Sequence, residues 1–365
     1  MPVKVSFVKG EQADFYTALN KKVDAFFETG NFSKKGNRLM WFKVVFYPTI
    51  FITVYITLLT IHLYAPVQFL LWAVLGLFTA FIGLNISHDA VHGSLSKNKL
   101  VNSILGYSFN IIGGDCYVWN ITHNIVHHTY TNIEGHDEDI QSIPMLRMSP
   151  HQKLRKIHRH QYWYAFIFYS LSSLLWVFIK DYRKFFKKNI GNYNNKQHPR
   201  KQYFILFFSK AVYFMLFLVL PLIFIQASWL QILLGFLVLH LTEGLTMAVI
   251  FMLAHVVEAT EFPLPTHTGT INNTWAVHQL YTTADFGRNN SLLNFFCGGL
   301  NFQVEHHLYP KICHVHYRQI SAIVKETAES FNLRYNENNS FFSAIGSHIR
   351  VLKLLGRPAT TITPL

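Results

Sequence analysis

The sequence predicts an all-α integral membrane protein, and three observations carry that reading. Of 365 residues, 50% are hydrophobic and only 14% charged, whereas a soluble domain averages about a quarter charged. No Asp, Glu, Lys or Arg occurs at positions 44–88, and positions 202–257 hold only Lys210 and Glu243. Each stretch has room for two helices of roughly 20 apolar residues, the length that crosses a bilayer.

The first stretch breaks near Ala65-Pro66 and the second near Ala227-Ser228. Four transmembrane helices are therefore expected at about 44–64, 67–87, 203–226 and 229–254, arranged as two hairpins. Basic residues set their orientation. Lys34, Lys35, Arg38 and Lys43 precede the first span, and a long basic segment from Arg147 to Lys201 separates the second from the third. The hairpin turns carry no charge, so by the positive-inside rule both termini and the middle segment face the cytoplasm. A fifth apolar run, about 162–179, has basic flanks and Ser, Tyr and Trp within it, which fits a helix lying in the interface or re-entering it. Residues 100–114 are too short and too rich in Gly and Asn to span.

The remaining composition narrows the class. Residues 1–40 lack the apolar core and cleavage site of a signal peptide. Cys116, Cys297 and Cys313 form neither a disulfide framework nor a CxxC pair. The net charge of +13 points to membrane orientation rather than nucleic acid, because the basic residues flank apolar runs. No repeat or separate soluble domain is visible, so residues 1–365 read as one domain. Lys210 lies near a helix start and is expected to snorkel to the basic face. His240 and Glu243, three apart within the fourth span, are expected to pair or to border a cavity.

Seven histidines fall in three clusters: His88 and His92 in HDAVH, His123, His127 and His128 in HNIVHH, and His306 and His307 in QVEHH. The i,i+4 spacing of the first two pairs places imidazoles on one helix face. The predicted topology gathers all three clusters on one side of the membrane. Seven imidazoles exceed one tetrahedral zinc site. Two metals with open positions fit better, and nitrogen ligation of that kind suits redox-active iron. A metal transporter would instead repeat ligands inside its spans, which hold only His62, His240 and Glu243.

The stretches HDAVHGS, HNIVHHTYTNIEGHDEDI and GGLNFQVEHHLYP resemble the three histidine boxes of integral-membrane fatty acid desaturases. Gln303, in place of the first histidine of the third box, resembles the front-end subgroup, and the similarity runs across most of the chain. The resemblance implies a four-span anchor under a cytosolic helical cap that holds two iron ions, with dioxygen as co-substrate. The implied reaction removes two hydrogens from an acyl-CoA or acyl-lipid chain to leave a cis double bond. A hydroxylase with the same iron centre is the competing reading. No HPGG haem motif occurs, so a separate donor is implied, a ferredoxin or cytochrome b5 with its reductase. A bacterial plasma membrane with a cytoplasmic active site is the expected location.

Two further histidines are candidates for iron. His278 in WAVHQ lies 25 residues before Gln303, and His255 in MLAHVVE ends the fourth span; both are expected to coordinate. The full set of expected ligands is thus His88, His92, His123, His127, His128, His255, His278, His306 and His307. Gln303, Asp89 and Glu305 are expected to act through water or from behind the ligands. Asp137, Glu138, Asp139, Glu258 and Asp285 are further carboxylates that could orient imidazoles through their outer nitrogen. Lys153, Arg155, Lys156, Arg159 and Arg288 are expected at the membrane surface, where they could also meet headgroup or CoA phosphates.

Overall fold

The structure, a computed structural model, describes residues 5–10, 13–140 and 143–358; the ends of the domain expected over 1–365 lie outside the described residues. It is mostly helical, and four helices are long and apolar enough to cross a membrane: Arg38–Thr60, Ala65–Val91, Arg200–Phe224 and Trp229–His255. They match the four expected spans, with shifted ends. The first begins at Arg38 because Asn37 caps it, its side chain accepting from the Leu39 and Met40 amides. The second opens with Pro66 in its first turn, where a missing N–H is harmless. Ser228 caps the fourth by accepting from the Gln231 amide.

The second and fourth helices run parallel in tight contact. Gln231 donates to Gln68 Oε1 at 2.6 Å. One turn on, a Cβ at Gly235 would meet Trp72 Nε1 at 2.2 Å. One turn further, a Cβ at Gly76 would meet the Leu239 carbonyl oxygen at 2.3 Å. Contacts every four residues on both helices are ridges meeting grooves along i±4 rows. Glycine is required at these two places because the opposing group is stiff indole or backbone. This packing brings the C-terminal ends of both helices, and hence His88, His92 and His255, to the same end of the bundle.

The expected interfacial segment proves longer and broken. Helices Lys156–Ser170 and Ser172–Phe186 meet at a bend of 58°, and the bend packs against the middle of the fourth helix. There Ser173 Oγ donates to the His240 carbonyl oxygen at 2.9 Å, and Ser172 Oγ donates to the Gly244 carbonyl oxygen at 3.1 Å. Both arms return to the histidine end: Gln161 donates to the Leu352 carbonyl oxygen, and Lys184 reaches Asp139. The segment is therefore an elbow that enters and leaves on one side.

Two expectations about polar groups inside the helices change. Lys210 does not snorkel. It is 2% exposed and pairs with Asp181 at 2.6 Å, because the elbow helix covers the face from which it would have reached water. His240 stands 3.5 Å from Glu243, yet its ring nitrogens are bonded to Ser173 Oγ and Tyr213 Oη, both at 2.8 Å.

A helical cap closes the histidine end. Helices Ala13–Thr29, Trp275–Thr282 and Tyr317–Ser330 share a core that includes Phe15, Leu19, Val277, Leu280, Ile320 and Val324. Short parallel pairings tie distant segments into it, Ser6–Phe7 with Thr270–Ile271 and Asp285–Phe286 with Glu337–Asn338. Helix Phe341–Leu355 packs on the first arm of the elbow, Lys156–Ser170, its Val351 and Leu352 clustering with Ala165 and Tyr169.

Candidate metal centre

Local helix geometry aims the clustered histidines. Residues 83–87, before the first cluster, and residues 120–127, through the second, are π-helical. The wider turn is a costly departure that recurs at functional sites. His88 and His92 still stack as the i,i+4 spacing predicts, with ring centroids 4.6 Å apart. Within the wider turn His123 and His127 are 5.0 Å apart, while His128 turns onto His307 at 4.3 Å. Helix Gln303–Leu308 contributes the third cluster.

Donor atoms of these side chains converge in three overlapping groups, each with its members' atoms within 4.8 Å of one another. The first holds His88, His92, His123 and His306; the second His127, His255 and His307; the third His128, His306 and His307. Because His306 and His307 are shared, eight imidazoles form one continuous cluster. Seven of the eight are buried and His92 is partly so. Gln303 joins the second group, its Nε2 2.8 Å from His255 Nε2.

The outer nitrogens of five of these rings are anchored. His127 Nδ1 meets Asp137 at 2.9 Å and His123 Nδ1 meets Asp139 at 3.4 Å. His307 Nδ1 lies 2.8 Å from Gln279 Oε1, His306 Nδ1 3.3 Å from the Tyr317 hydroxyl, and His255 Nδ1 3.4 Å from the Thr282 carbonyl. A hydrogen bond on one ring nitrogen selects the other for a metal. Nε2 of His88, His92, His123, His127, His128, His306 and His307 is buried with no partner among the described residues, and so is Nδ1 of His88 and His128.

Leaving a buried donor or acceptor unpaired costs about 1–3 kcal/mol, so seven such atoms aimed into one space describe a site built for a ligand. Burial keeps the rings neutral. It pushes His123 down to about 3 and holds His92, His128, His306 and His307 well below the ordinary histidine range, with neighbouring imidazoles adding to the effect. His127 goes the other way: burial lowers it, but the charge and hydrogen bond of Asp137, together with the charge of Asp139, raise it further. Neutral imidazole is the metal-binding form, and an all-nitrogen set fits iron.

His278 does not join the cluster. It sits one residue before Gln279, so the face of its helix that meets His307 is occupied by Gln279, and the His278 ring lies against Phe7 at 5.1 Å. Burial holds it down to about 3, with no box histidine against it. His255 does join, as its place at the end of the fourth helix suggested.

The carboxylates divide. Asp137 and Asp139 support histidines of the cluster. Asp89 lies 3.7 Å from His88 Nδ1 and takes its short hydrogen bond, 2.9 Å, from His314 Nδ1. Glu305 turns away from the cluster, accepting at 3.0 Å from the Tyr335 hydroxyl, which also bonds Asp285. Burial and the adjacent Asp285 hold Glu305 well above the usual carboxylate range. Glu138 pairs with Lys187 and Glu258 with Arg350 at the surface. Arg288 is bound to Glu337 at 2.7 Å and does not stand free for phosphate. Lys153, Arg155, Lys156 and Arg159 are exposed, the last two in the first turns of the elbow.

Sequence reading missed His314, Lys43, Gln279 and Tyr317. Only the HVH at 314–316 gave a signal, and nothing in its spacing tied it to the first cluster. Apolar rings close the membrane side: Trp119 stacks on His123 at 4.2 Å, and Phe251, one turn before His255, lies against both His127 and His255.

Comparison with known proteins gives a consistent result. Residues 64–339 match the profile of the family described as "Fatty acid desaturase". The chain is 35% identical to the sn-1 linoleoyl-lipid 6-desaturase of Arthrospira platensis over 96% of its own length and 94% of that protein's. It is also 35% identical to the enzyme of the same name from Synechocystis, over 95% and 97%. An acyl-lipid (8-3)-desaturase of Physcomitrium patens is 30% identical over 96% of this chain and 74% of its own.

Proposed function

The chain belongs to the fatty acid desaturase family, and from that membership we propose that it is a front-end acyl-lipid desaturase using two irons held by the eight-histidine cluster. It is a membrane-embedded oxidoreductase that desaturates fatty acyl chains. The finer reading is that the new cis double bond forms at carbon 6 of an already unsaturated chain esterified in a membrane lipid. The names of the two cyanobacterial relatives support this regiochemistry. Their organisms also favour a bacterial membrane; the basic flanks favour a cytoplasmic histidine end, and a ferredoxin or cytochrome b5 with its reductase would supply the electrons.

The observation that carries the proposal is the set of seven buried, unpaired Nε2 atoms at the joint end of the second and fourth helices. His88, His92, His123 and His306 would hold one iron and His127, His255 and His307 the other, with His128 between them. Once bound, the irons would supply dioxygen activation for removal of two hydrogens from adjacent methylenes.

The rest of the work belongs to the protein. Asp137, Asp139, Gln279 and Tyr317 fix ring orientation, which keeps ligands within the narrow geometry a metal needs. The buried cluster excludes bulk water and so shields a reactive centre. Methylenes of an acyl chain are chemically alike, so position alone selects the pair that reacts. Trp119 and Phe251 offer apolar surface beside His123, His127 and His255 for that purpose. Expression in a bacterial host fed linoleate, followed by gas chromatography of its fatty acid methyl esters, tests the proposal. A new double bond at carbon 6 is expected; a hydroxylated product, or unsaturation only beyond the existing bonds, would overturn it.

A further inference from the structure

We propose that Lys43 and Lys184 are positioning residues for one half of the cluster only, the group of His88, His92, His123 and His306, each acting through an aspartate. The inference rests on the two-iron reading above.

Lys43, near the start of the first apolar helix, is 1% exposed. It donates to Asn85 Oδ1 and the Phe295 carbonyl oxygen, both at 2.8 Å, and to His314 Nε2 at 2.9 Å. Because His314 accepts at Nε2, its proton is on Nδ1, and it donates from there to Asp89 Oδ2 at 2.9 Å. The same oxygen accepts from the His314 amide at 3.2 Å and from Cys313 Sγ at 3.0 Å. Those donors fix the carboxylate, and its other oxygen lies 3.7 Å from His88 Nδ1, in charge contact with the ring without a hydrogen bond.

A second chain reaches the same group from the other side. Lys184, on the second arm of the elbow, pairs with Asp139 Oδ1 at 3.0 Å, and Asp139 Oδ2 meets His123 Nδ1. The second group is built differently. Asp137, beside His127, accepts from the Asn132 and Asp139 amides, and no lysine or arginine pairs with it among the described residues. His307 and His255 are held by Gln279 and by the Thr282 carbonyl.

A carboxylate buried beside a ligand imidazole is stable only while its charge is compensated. Without Lys184, Asp139 loses its ion pair beside His123; without Lys43, His314 loses the partner that fixes its tautomer and its donation to Asp89 beside His88. Lys43 and Lys184 lie on membrane-associated helices, so they tie this half of the centre to the packing of those helices. Lys210 supplies an internal control: it makes a buried pair with Asp181 of the same kind but touches no cluster histidine.

The test loads purified full-length protein anaerobically with isotopically enriched ferrous iron. Iron per chain is measured against a competing chelator, with the Mössbauer spectrum as second readout. Lys43→Met and Lys184→Met should each weaken one iron by about 10–100-fold, the usual effect of losing a partner behind a ligand. The same Mössbauer component should change in both, the other should persist, and Lys184→Arg should restore the wild-type spectrum. Lys210→Met should keep both irons. The proposal is overturned if both components survive unchanged, if both move together, or if Lys210→Met has the same effect. Should Lys43→Met not fold, the part-exposed Lys184 decides alone. Fewer than two irons in the wild type would overturn the two-iron reading itself, visibly before any variant is compared.

Discussion

Replacing His255 and His278 separately separates geometry from sequence spacing. His255 is one of three imidazoles in the second group and faces Gln303 at 2.8 Å. Loss of a group behind a ligand costs about 10–100-fold in metal affinity, so loss of the ligand itself should cost at least about 100-fold, or ~2.7 kcal/mol. His278 is equally buried, at 1% exposed, but lies outside the three groups. His278→Ala should therefore lose packing against Phe7, a stability loss of about 1–3 kcal/mol, with both irons retained. The assay is colorimetric iron determination after ferrous loading and desalting, with thermal unfolding of each variant in parallel. His255→Ala is expected to fall from two irons to one. Full iron in His255→Ala together with iron loss in His278→Ala would refute the reasoning.

Other consequences are as direct. Gly76→Ala places a methyl against the Leu239 backbone oxygen at 2.3 Å, which cannot rotate away, so thermal stability in detergent should fall by about 1–3 kcal/mol; an unchanged melting temperature would show that the second and fourth helices are not packed as described. His348 donates to the Val256 carbonyl and meets the Tyr169 hydroxyl, and burial pushes it down to about 4 from an ordinary value of 6.5. The folded state therefore binds this proton less readily than the unfolded state. Its stabilising effect is whole above pH 6.5 and lost as pH falls toward 4, by about 3 kcal/mol. Thermal unfolding of iron-loaded wild type and His348→Gln across that window should show a shallower acid loss in the variant; parallel curves would contradict the assignment.

Much of the fold was legible because membranes leave a coarse signature. Absence of charge over 44–88 and its near absence over 202–257 located four helices, and basic flanks anticipated that the 162–179 segment would not simply span. The true helix starts depended on caps such as Asn37, which hydropathy does not register. Of the eight clustered histidines, seven stood in recognisable boxes and His255 was inferred from its place at a helix end. His278 lies outside the cluster because spacing to Gln303 does not say which face of the helix points inward; Gln279 holds that face. Lys43, His314 and Lys184 were illegible for a different reason. Their contacts with Asp89 and Asp139 join residues far apart in the chain, and only tertiary packing brings them together. The expectation for Lys210 failed likewise, since the elbow that buries it is not visible beside it in sequence.

The central claim is that the eight clustered imidazoles form a two-iron centre. Iron K-edge X-ray absorption on the wild-type protein, combined with metal quantitation, tests it most directly. The account predicts two irons per chain, a nitrogen-dominated ligand shell and no sulfur scatterer, since Cys313 is engaged with Asp89. A single metal per chain, or a sulfur ligand at the metal, would contradict it.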